Sequence, residues 1–536
     1  MTPEMAKLRM SAKALGLTVA LVMAAGCAGT TTALVSTSTA VPRSLPAAGS
    51  FGTPQPLAGV PGLGMTAPFP DGLQLSCTSA GNCGAIGGYT SKAAGKDTQA
   101  QREVFVVTET NGHWGKPEPV PGLAALNTWG QVSNLRITCS ASGFCEAGGN
   151  YAAKLTANSG YDHAFVMTES KGGWGNAQTF DPAGLSASAN GASDLDSLTC
   201  PAPGNCVAGA DYGSPQGSVP FIVAQRHGVW GKPQLIPGLA ALLGSTRNVV
   251  STPRAVSCTD AADCTVIGDY PDNAHNRMDA FIAAEKHGVW TKAAPLPGLA
   301  ALQSTAANRY TDVDALACDR AGRNCTASGV FTNPRGHTLP FVLTKVHGRW
   351  GTVTPLPGTT SLNLNNGNGG GVLLSCPTQA SCTIATNAWT APQGSPPAFG
   401  NSQVYMDSEV NGTWRTPKHL GGVPADLGGG GTVTVLACGA PGSCTIGGYY
   451  GNNHSPGVAF LAKETNGTWS GPWKVVLPAS ANSVTQIGAL SCVAGGYCTA
   501  TAFAQFQPAG TVHPTVYVIT EGAPATVTLR LGKAAV

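Results

Sequence analysis

The sequence predicts an all-β fold, a single eight-bladed β-propeller of four-stranded antiparallel blades with one disulfide inside each blade. Three observations predict it: cysteine pairs that recur eight times, four apolar segments of strand length in each unit, and a glycine turn followed by a tryptophan in seven units. Periods of this length are typical of solenoids, propellers and arrays. Four antiparallel strands per unit match a propeller blade.

The cysteine pairs mark the first hairpin of each unit. Seventeen cysteines resolve into eight close pairs plus Cys27, and the first cysteines of the pairs are 54 to 62 residues apart. Systematic pairs suit an oxidising compartment, so we expect eight disulfides. Zinc is the alternative, but structural zinc sites usually have tighter spacings. The expected pairs are Cys77 with Cys83, Cys139 with Cys145, Cys200 with Cys206, Cys258 with Cys264, Cys318 with Cys325, Cys376 with Cys382, Cys438 with Cys444, and Cys492 with Cys498.

The strands follow from the pattern between the pairs. An alternating run such as "LQLSC" ends at the first cysteine, and a second run leaves the second cysteine. A third run is β-branched and aromatic, as in "VFVVTE", and the fourth begins with tryptophan, as in "HWGKPEPV". Between the last two stands Asn-Gly, His-Gly or Lys-Gly. These pairs suit a type I′ hairpin turn, which needs positive φ at both central residues.

The amino-terminal residues predict export. Lys7, Arg9 and Lys13 precede the apolar run 14–26, which is too short to span a bilayer. The run ends in "MAAGCAG", which resembles a bacterial lipoprotein signal whose cysteine becomes the lipidated amino terminus. We therefore expect a signal peptide over 1–26, a lipid on Cys27, a flexible tether over 27–50 and the propeller over 51–531. The resemblance implies a protein anchored to the outer surface of the cell membrane; ordinary secretion is the alternative.

Composition excludes several classes of function. Charged residues make up 11% of the chain and the net charge is +3, so no electrostatic case exists for nucleic-acid binding. The chain has no G-x-S-x-G, no H-E-x-x-H and no phosphate-binding Gly-Lys-Ser/Thr loop. We expect no cofactor, no metal and a monomer.

The repeat resembles two kinds of known propeller. A Gly turn before a Trp, between third and fourth strands, resembles the Asp-box repeats of sialidase-like propellers. Here one residue rather than two separates Gly from Trp, and Asn, His or Lys replaces Asp. The whole unit is similar to the Cys-paired repeats of exported bacterial propeller-like proteins, over about residues 51 to 522. That second resemblance implies a fold and no particular chemistry.

The ends of the repeat region suggest how the ring closes. "FGTPQPLAGVPGLG" at 51–64 matches "WGKPEPVPGLAAL" at 114–126, with Phe51 in the place of Trp. The eighth unit has a third strand, 516–522, but no fourth strand with a Trp. We expect the amino-terminal segment to complete this blade; the alternative is the strand-like segment 525–531.

The loops from second to third strand are long and variable, and function on rigid scaffolds concentrates in such loops. An aromatic residue stands in or near the end of each second strand. A ring of aromatics can bind a sugar or a peptide, and the alternative interpretation is that these residues fill the gaps between blades. The candidate ligand-face residues are Tyr89, Tyr151, Tyr212, Tyr270, Phe331, Trp389, Tyr450 and Phe503.

Evidence for catalysis is sparse. Two pairs of carboxylates are spaced two residues apart, which would place both members of a pair on one face of a strand: Asp194 with Asp196, and Asp312 with Asp314. Glycosidases use two carboxylates, but we expect these to be solvated near the blade edges. The arginines of second-to-third loops stand at scattered offsets, whereas a sialidase gathers several at its mouth. These arginines are Arg102, Arg277 and Arg335.

The sequence therefore favours a surface or secreted binding protein without catalysis, with a glycan or protein ligand on the variable loop face. The alternatives are a sialidase-like or other glycan-active hydrolase and a purely structural envelope lipoprotein.

Overall fold

The structure is a computed structural model. It describes residues 51–63, 67–68, 73–91, 101–156, 159–180, 192–214, 217–244, 249–260, 262–272, 275, 277–303, 310–319, 321–359, 364, 371–378, 380–389, 402–421, 431–451, 457–477, 483–506 and 516–521. The predicted signal peptide, Cys27, the tether and the segment 525–531 lie outside these residues.

The predicted fold class is confirmed: eight sheets form an eight-bladed propeller, and their strands pair antiparallel except for one short parallel pair, β15 with β18, in blade 3. Most blades have three long strands and a fourth strand split into two short pieces that both pair with the third. The first short strand of the chain, β1 (Gln55–Pro56), belongs to the last blade.

The strands of blades 1 to 4 follow in chain order. Blade 1 contains β2 (Ala67–Pro68), β3 (Gln74–Ser79), β4 (Asn82–Ser91), β5 (Gln101–Thr110), β6 (His113–Trp114) and β7 (Glu118–Pro119). Blade 2 contains β8 (Val132–Ala141), β9 (Phe144–Thr156), β10 (Ser159–Ser170), β11 (Gly173–Trp174) and β12 (Gln178–Thr179). Blade 3 contains β13 (Ser193–Ala202), β14 (Asn205–Ser214), β15 (Gly217–Arg226), β16 (Val229–Trp230), β17 (Gln234–Leu235) and β18 (Val249–Val250). Blade 4 contains β19 (Thr252–Asp260), β20 (Asp263–Asp272), β21 (Arg277–Lys286), β22 (Val289–Trp290) and β23 (Ala294–Pro295).

The second half repeats the scheme. Blade 5 contains β24 (Thr311–Cys318), β25 (Cys325–Thr332), β26 (Thr338–Val346), β27 (Arg349–Trp350) and β28 (Thr354–Pro355). Blade 6 contains β29 (Leu373–Thr378), β30 (Ser381–Trp389), β31 (Ser402–Val410), β32 (Thr413–Trp414) and β33 (Lys418–His419). Blade 7 contains β34 (Gly431–Ala440), β35 (Ser443–Tyr450), β36 (Val458–Thr465), β37 (Thr468–Trp469) and β38 (Trp473–Lys474). Blade 8 contains β39 (Ser483–Val493), β40 (Tyr497–Phe506), β41 (Val516–Thr520) and β1.

The first strand of each blade is the innermost. Each of these strands contacts the first strand of both neighbouring blades, and β39 contacts β3, so the ring of inner strands is closed. Every inner strand runs toward its cysteine, away from the variable loops. Residues several positions before the cysteine therefore lie toward the variable loop face.

The helices are short. A 3-10 turn spans Val60–Leu63, and α1 (Leu123–Leu126), α2 (Leu239–Leu243) and α3 (Leu299–Leu302) follow a fourth strand. Within the described residues, the structure has no helix of the length and apolar character that a membrane crossing needs.

All eight predicted disulfides are present, and each clips the hairpin between the first and second strands of its blade. The second cysteine of every pair is buried on the second strand. The bonds join Cys77 to Cys83, Cys139 to Cys145, Cys200 to Cys206, Cys258 to Cys264, Cys318 to Cys325, Cys376 to Cys382, Cys438 to Cys444, and Cys492 to Cys498.

The disulfide turn contacts the glycine turn of the same blade. In blade 1 the Gly112 N–H donates to the Gly81 carbonyl at 2.8 Å, and Asn111 has φ 51° as a type I′ turn requires. The residue before the second cysteine also accepts from this turn: Asn205 Oδ1 accepts the His227 N–H in blade 3. The disulfide turns and the glycine turns therefore lie on the same face of the propeller.

Replacing Cys258 and Cys264 together by serine is expected to lower the free energy of unfolding by about 2 kcal/mol. The estimate is the loop-closure entropy of so short a loop. Chemical denaturation of the variant against the wild type, both oxidised, measures it. A loss below about 0.5 kcal/mol would show that the backbone hydrogen bonds between the first and second strands fix the hairpin without the disulfide.

Small residues after the second cysteine make room for aromatic rings. A Cβ on Gly87 would lie 2.6 Å from the Phe105 ring, and one on Gly268 would lie 2.7 Å from the Phe281 ring. The third-strand Phe residues are almost fully buried. The inner strand of each blade is the first strand, and these glycines make room for rings of the third strand. The tryptophans after the glycine turns are half-buried at the edge of the core.

The amino-terminal segment closes the last blade, as expected. Gln55 and Pro56 pair with Val518 and Tyr517 of β41, and Phe51 forms a bridge with Glu521. The Cys77 N–H also donates to the Ser491 hydroxyl at 3.0 Å, which joins the inner strands of blades 1 and 8.

Polar side chains near the ends of the third strands link neighbouring blades close to the disulfides. The Thr108 hydroxyl donates to Glu169 of the next blade at 2.7 Å, the Ser408 hydroxyl donates to Glu464 at 3.0 Å, and Lys463 pairs with Glu521. Equivalent positions hold eight buried polar residues, here called the girdle: Glu109, Glu169, Gln225, Glu285, Lys345, Glu409, Glu464 and Glu521.

Burial of the girdle carboxyls disfavours their charged form. It raises the pKa of Glu109 and of Glu285 to about 7. Glu146, on the second strand of blade 2, accepts from Thr168, Gln225 and Trp230, yet burial raises its pKa to about 8. These groups therefore bind protons in the folded protein near neutral pH.

Candidate functional site

The aromatic residues predicted to form a ligand face lie inside the propeller. Seven of the eight are buried, and the side chain of Trp389 lies outside the described residues. Tyr450 stacks on Phe460 with ring centroids 4.4 Å apart, and Tyr89 and Phe331 contact third-strand Phe rings at tilted angles. This burial favours the alternative interpretation, in which the rings fill the gaps between blades. The buried rings are Tyr89, Tyr151, Tyr212, Tyr270, Phe331, Tyr450 and Phe503.

Five histidines stand in or near the loops from second to third strand, and the three that the structure describes form no common group. His163 stacks on Tyr151, His275 lies 2.6 Å from Asp272, and the His337 N–H donates to Asn333. His454 and His513 lie outside the described residues. Among the described residues no group of three potential metal ligands is present.

A cluster of charged side chains lies instead on the inner strands. Most inner strands carry a β-bulge about four residues before the first cysteine. In three consecutive blades this position is charged: Asp196, Arg254 and Asp314. In the other blades it is Leu73, Leu135, Val372, Thr434 or Gly488. Bulges often re-aim a side chain beside a functional site.

We call this cluster the charged arc; its members are Arg136, Asp194, Asp196, Arg254, Asp312 and Asp314. Asp194 and Asp312 stand two residues before a bulge, nearer the variable loop face. Arg136 lies on blade 2 and donates to the Asp196 carbonyl at 3.1 Å. The arc occupies one side of the ring, blades 2 to 5. The expectation that its carboxylates are solvated at blade edges is corrected, because they lie partly buried on inner strands.

Arg254 is the centre of the arc. Its guanidinium lies 2.5 Å from Asp269, on the second strand of the same blade, and 3.1 Å from Asp312 of the next blade. The Tyr310 hydroxyl donates to the other oxygen of Asp312 at 2.5 Å. The Arg254 side chain is still 42% exposed, whereas that of Asp269 is 2% exposed. Arg254 therefore neutralises buried charge while its own side chain stays partly exposed.

A repeated hydrogen bond holds neighbouring blades together just behind the arc. Asn150, Asp269 and Asn387, each five residues after a second cysteine, accept a backbone N–H from the next inner strand. The donors are Leu195, Val313 and Val433, at 2.7, 3.0 and 2.8 Å. An Asx residue stands at this position in four blades, and in three of them it makes this bond.

Blade 3 breaks this pattern. Asp211 holds the Asx position, but the residue that should donate to it is Pro253, which has no N–H. The Asp211 carboxyl is thus left to interact with Ser218 and Asp196. Because Pro253 has no N–H, the Asp211 carboxyl is free of the structural bond and interacts with the arc through Asp196.

The carboxyls of blade 3 repel one another in a partly buried space. Burial, then the charge of Asp162, raises the pKa of Asp194 to about 6. Burial and the neighbouring carboxylates Asp211 and Asp194 raise the pKa of Asp196, and one of its oxygens is buried with no hydrogen-bond partner among the described residues. Burial also raises the pKa of Asp314 to about 7. The arc can accept hydrogen bonds, donate them, and balance a positive group.

One pattern in the sequence predicts the arc, and it differs from the patterns from which the candidate ligand-face residues were predicted. When the repeats are aligned on their cysteines, three consecutive units have a charged residue at the same position. A search for carboxylate pairs within one strand does not detect this pattern, because the charged residues come together from different blades.

Comparisons with known proteins give a fold likeness only. No family model matches the chain, and no curated protein matches it. Among solved structures the chain is similar to the NanB sialidase of Streptococcus pneumoniae, at 9% identity and a TM-score of 0.35, over 85% of this chain and 94% of that one. It is similar to a subtype N11 neuraminidase-like protein from an H18N11 strain of flat-faced bat, at 10% identity and a TM-score of 0.35, over 70% and 99% of the two chains. It is also similar to a Penicillium chrysogenum α-L-arabinanase, at 11% identity and a TM-score of 0.32, over 59% and 90%.

Proposed function

We propose that this protein is an extracytoplasmic binding protein without catalytic activity, which holds a glycan at the axial mouth of the propeller on its variable loop face. The observation that carries the proposal is the charged arc, and above all Arg254, which presents exposed donors between the carboxyls of two blades. Eight disulfides support an oxidising, extracytoplasmic compartment.

The chemistry of the arc favours a polyhydroxylated ligand. Sugar hydroxyls both donate and accept, and the arc alternates guanidinium donors with carboxyl acceptors over neighbouring blades. Asp194 and Asp312 stand nearest the variable loops, so they are the acceptors that a ligand entering from that face meets first. A protein partner would instead use the loops more than the arc.

Replacing Asp194 and Asp312 together by asparagine is expected to weaken glycan binding about tenfold or more, because carboxylates accept stronger hydrogen bonds than amides. A glycan array identifies the ligand, and calorimetry measures affinity for wild type and variant. The control is Asp260→Asn, an exposed aspartate near the disulfide turn of blade 4. Unchanged affinity in the double variant, or a wild type that binds no glycan, contradicts the proposal.

A glycan-active hydrolase is the second candidate. One observation favours it: Asp194 and Asp196 lie two residues apart on one strand, and the pKa of Asp196 is raised further than that of Asp194. Such separation is typical of an acid and its partner carboxylate. Fluorogenic glycosides test it; we expect no turnover, and turnover that Asp196→Asn abolishes would replace the binding proposal.

The anchor is part of the proposal. Cys27 is the one cysteine of the sequence outside the eight pairs and would carry the lipid. An intact-mass spectrum of protein from its native membrane fraction tests this: a diacylglycerol-sized increment that Cys27→Ser removes supports the anchor, and an unmodified mass favours secretion.

A further inference from the structure

A groove of about 290 Å³ lies on the rim of the propeller where blade 7 meets blade 8. We call it the seam groove; Phe51, Pro54, Leu461, Trp473, Val476 and Ile519 line it, among others. Among the lining residues that the structure describes, Lys474 is the one with a charge.

Two departures from the repeat create this groove. Phe51 stands where other blades have the Trp of the fourth strand, so a smaller ring fills the junction. Trp473 stands where the other blades have Glu118, Gln178, Gln234, Ala294, Thr354 or Lys418. The equivalent groove between blades 3 and 4 is smaller, about 150 Å³, and Arg226, Lys232 and Glu285 line it.

The apolar residues of the seam groove are exposed. Trp473 is 42% exposed and Val476 is 67% exposed, and both sit beside the half-buried Phe51. The Phe51 and Trp473 rings are 6.5 Å apart and edge-on. A contiguous apolar patch around a concave surface marks a contact site.

The chain itself supplies an occupant next to this site. β41 ends at Thr520, Glu521 bridges Phe51, and Ile519 lines the groove, so the described chain ends two residues beyond the groove lining. In blades 1 to 7 the third strand turns into the fourth, but in blade 8 Phe51 and β1 hold that place. After the short linker 522–524 comes the segment 525–531, "ATVTLRL", in which Val527, Leu529 and Leu531 alternate with polar residues.

We propose that residues 525–531 of this chain occupy the seam groove, with the alternating apolar residues against Trp473 and Val476. A linker of three residues reaches about 10 Å, and the groove begins at Ile519. Intramolecular docking benefits from a high effective concentration, so a modest apolar contact is sufficient.

Hydrogen exchange of the full-length protein, read by mass spectrometry, tests the proposal. Amides of residues 527–531 are expected to exchange about tenfold or more slowly than in a free peptide of the same sequence. Trp473→Glu, which places the residue of blade 1 at this position, is expected to remove that protection. The control is Val289→Glu, an exposed apolar residue on blade 4, which is expected to leave it unchanged.

A second variant keeps the test independent of propeller folding. Val527→Asp with Leu529→Asp alters only the segment, and is expected to abolish its protection and to raise exchange in 473–477, while the inner strands stay protected. Free exchange of 527–531 in the wild type overturns the proposal and leaves the groove open to an external ligand. Protection that survives Trp473→Glu also overturns it, because the segment is then held elsewhere.

Discussion

Raising the pH from about 5 to about 8.5 is expected to lower the free energy of unfolding by several kcal/mol. Buried carboxyls in the girdle, in the arc and on strands of blades 2 and 6 hold protons that the unfolded chain has already lost. Burial raises the pKa of Glu146 to about 8, and those of Glu109, Glu285, Asp314 and Asp407 to about 7.

The direction follows from proton linkage. Each of these groups has a folded pKa above its unfolded value, so the stability it contributes is fully present below pH 4. That contribution is lost as the pH rises through the folded pKa. Each unit of difference is worth about 1.4 kcal/mol, so Glu146 alone accounts for a loss on the order of 3 to 5 kcal/mol over this interval.

Guanidinium denaturation with the disulfides intact, at several pH values, measures the effect. Glu146→Gln is expected to flatten the pH dependence, because the amide keeps a hydrogen-bonding side chain without a titrating group. Glu118→Gln, an exposed glutamate on the rim, is the control and is expected to leave the curve unchanged. A stability that is constant or rises between pH 5 and 8.5 would show that the buried carboxyls are charged in the folded state.

Replacing Arg254 by methionine is expected to cost about 3 kcal/mol at pH 8, because it leaves Asp269 buried beside Asp312 without its counter-charge. The cost is expected to shrink at pH 5, since burial and the Asp312 carboxylate raise the pKa of Asp269 and the neutral acid needs no cation. Glycan binding is expected to fall in the same variant.

A double variant separates lost charge balance from lost packing. Arg254→Met with Asp269→Asn is expected to recover most of the stability, because Asn150 and Asn387 already fill the equivalent position and accept the same backbone N–H. Arg349→Met, an exposed arginine on the blade 5 rim, is the control. Melting curves of all four proteins at pH 5 and pH 8 measure the loss of stability that Arg254→Met causes. If that loss is the same at both pH values and is not reduced by Asp269→Asn, Arg254 acts by packing alone.

The fold could be predicted because its signals are local. A cysteine pair fixes one hairpin, as Cys77 and Cys83 do in blade 1, and positive φ at Asn111 or His227 is written into a two-residue turn. Even ring closure left a local trace, the match between residues 51–64 and 114–126.

The candidate site could not be read in the same way, because it depends on register across blades. Asp196 stands at a bulge that displaces it from the regular strand pairing. Asp211 interacts with Asp196 because Pro253, on another blade, lacks the N–H that would otherwise bind it. For Tyr212 and Tyr270 the register has the opposite effect, because it buries residues that the sequence places near a loop. They look like loop-edge residues, yet their register sets them against Phe221 and the core of blade 4.

The junction in blade 8 also determines how the disc responds to force. Blades 1 to 7 are continuous chain from first to fourth strand, whereas the outer edge of blade 8 is held by a few backbone bonds, such as Gly52 N–H to Thr520 and Leu57 N–H to Val516. A pull transmitted through the residues before Phe51 loads these bonds first. Under low tension β1 is then expected to separate from β41, while the disulfide-linked hairpins and the ring of inner strands remain intact.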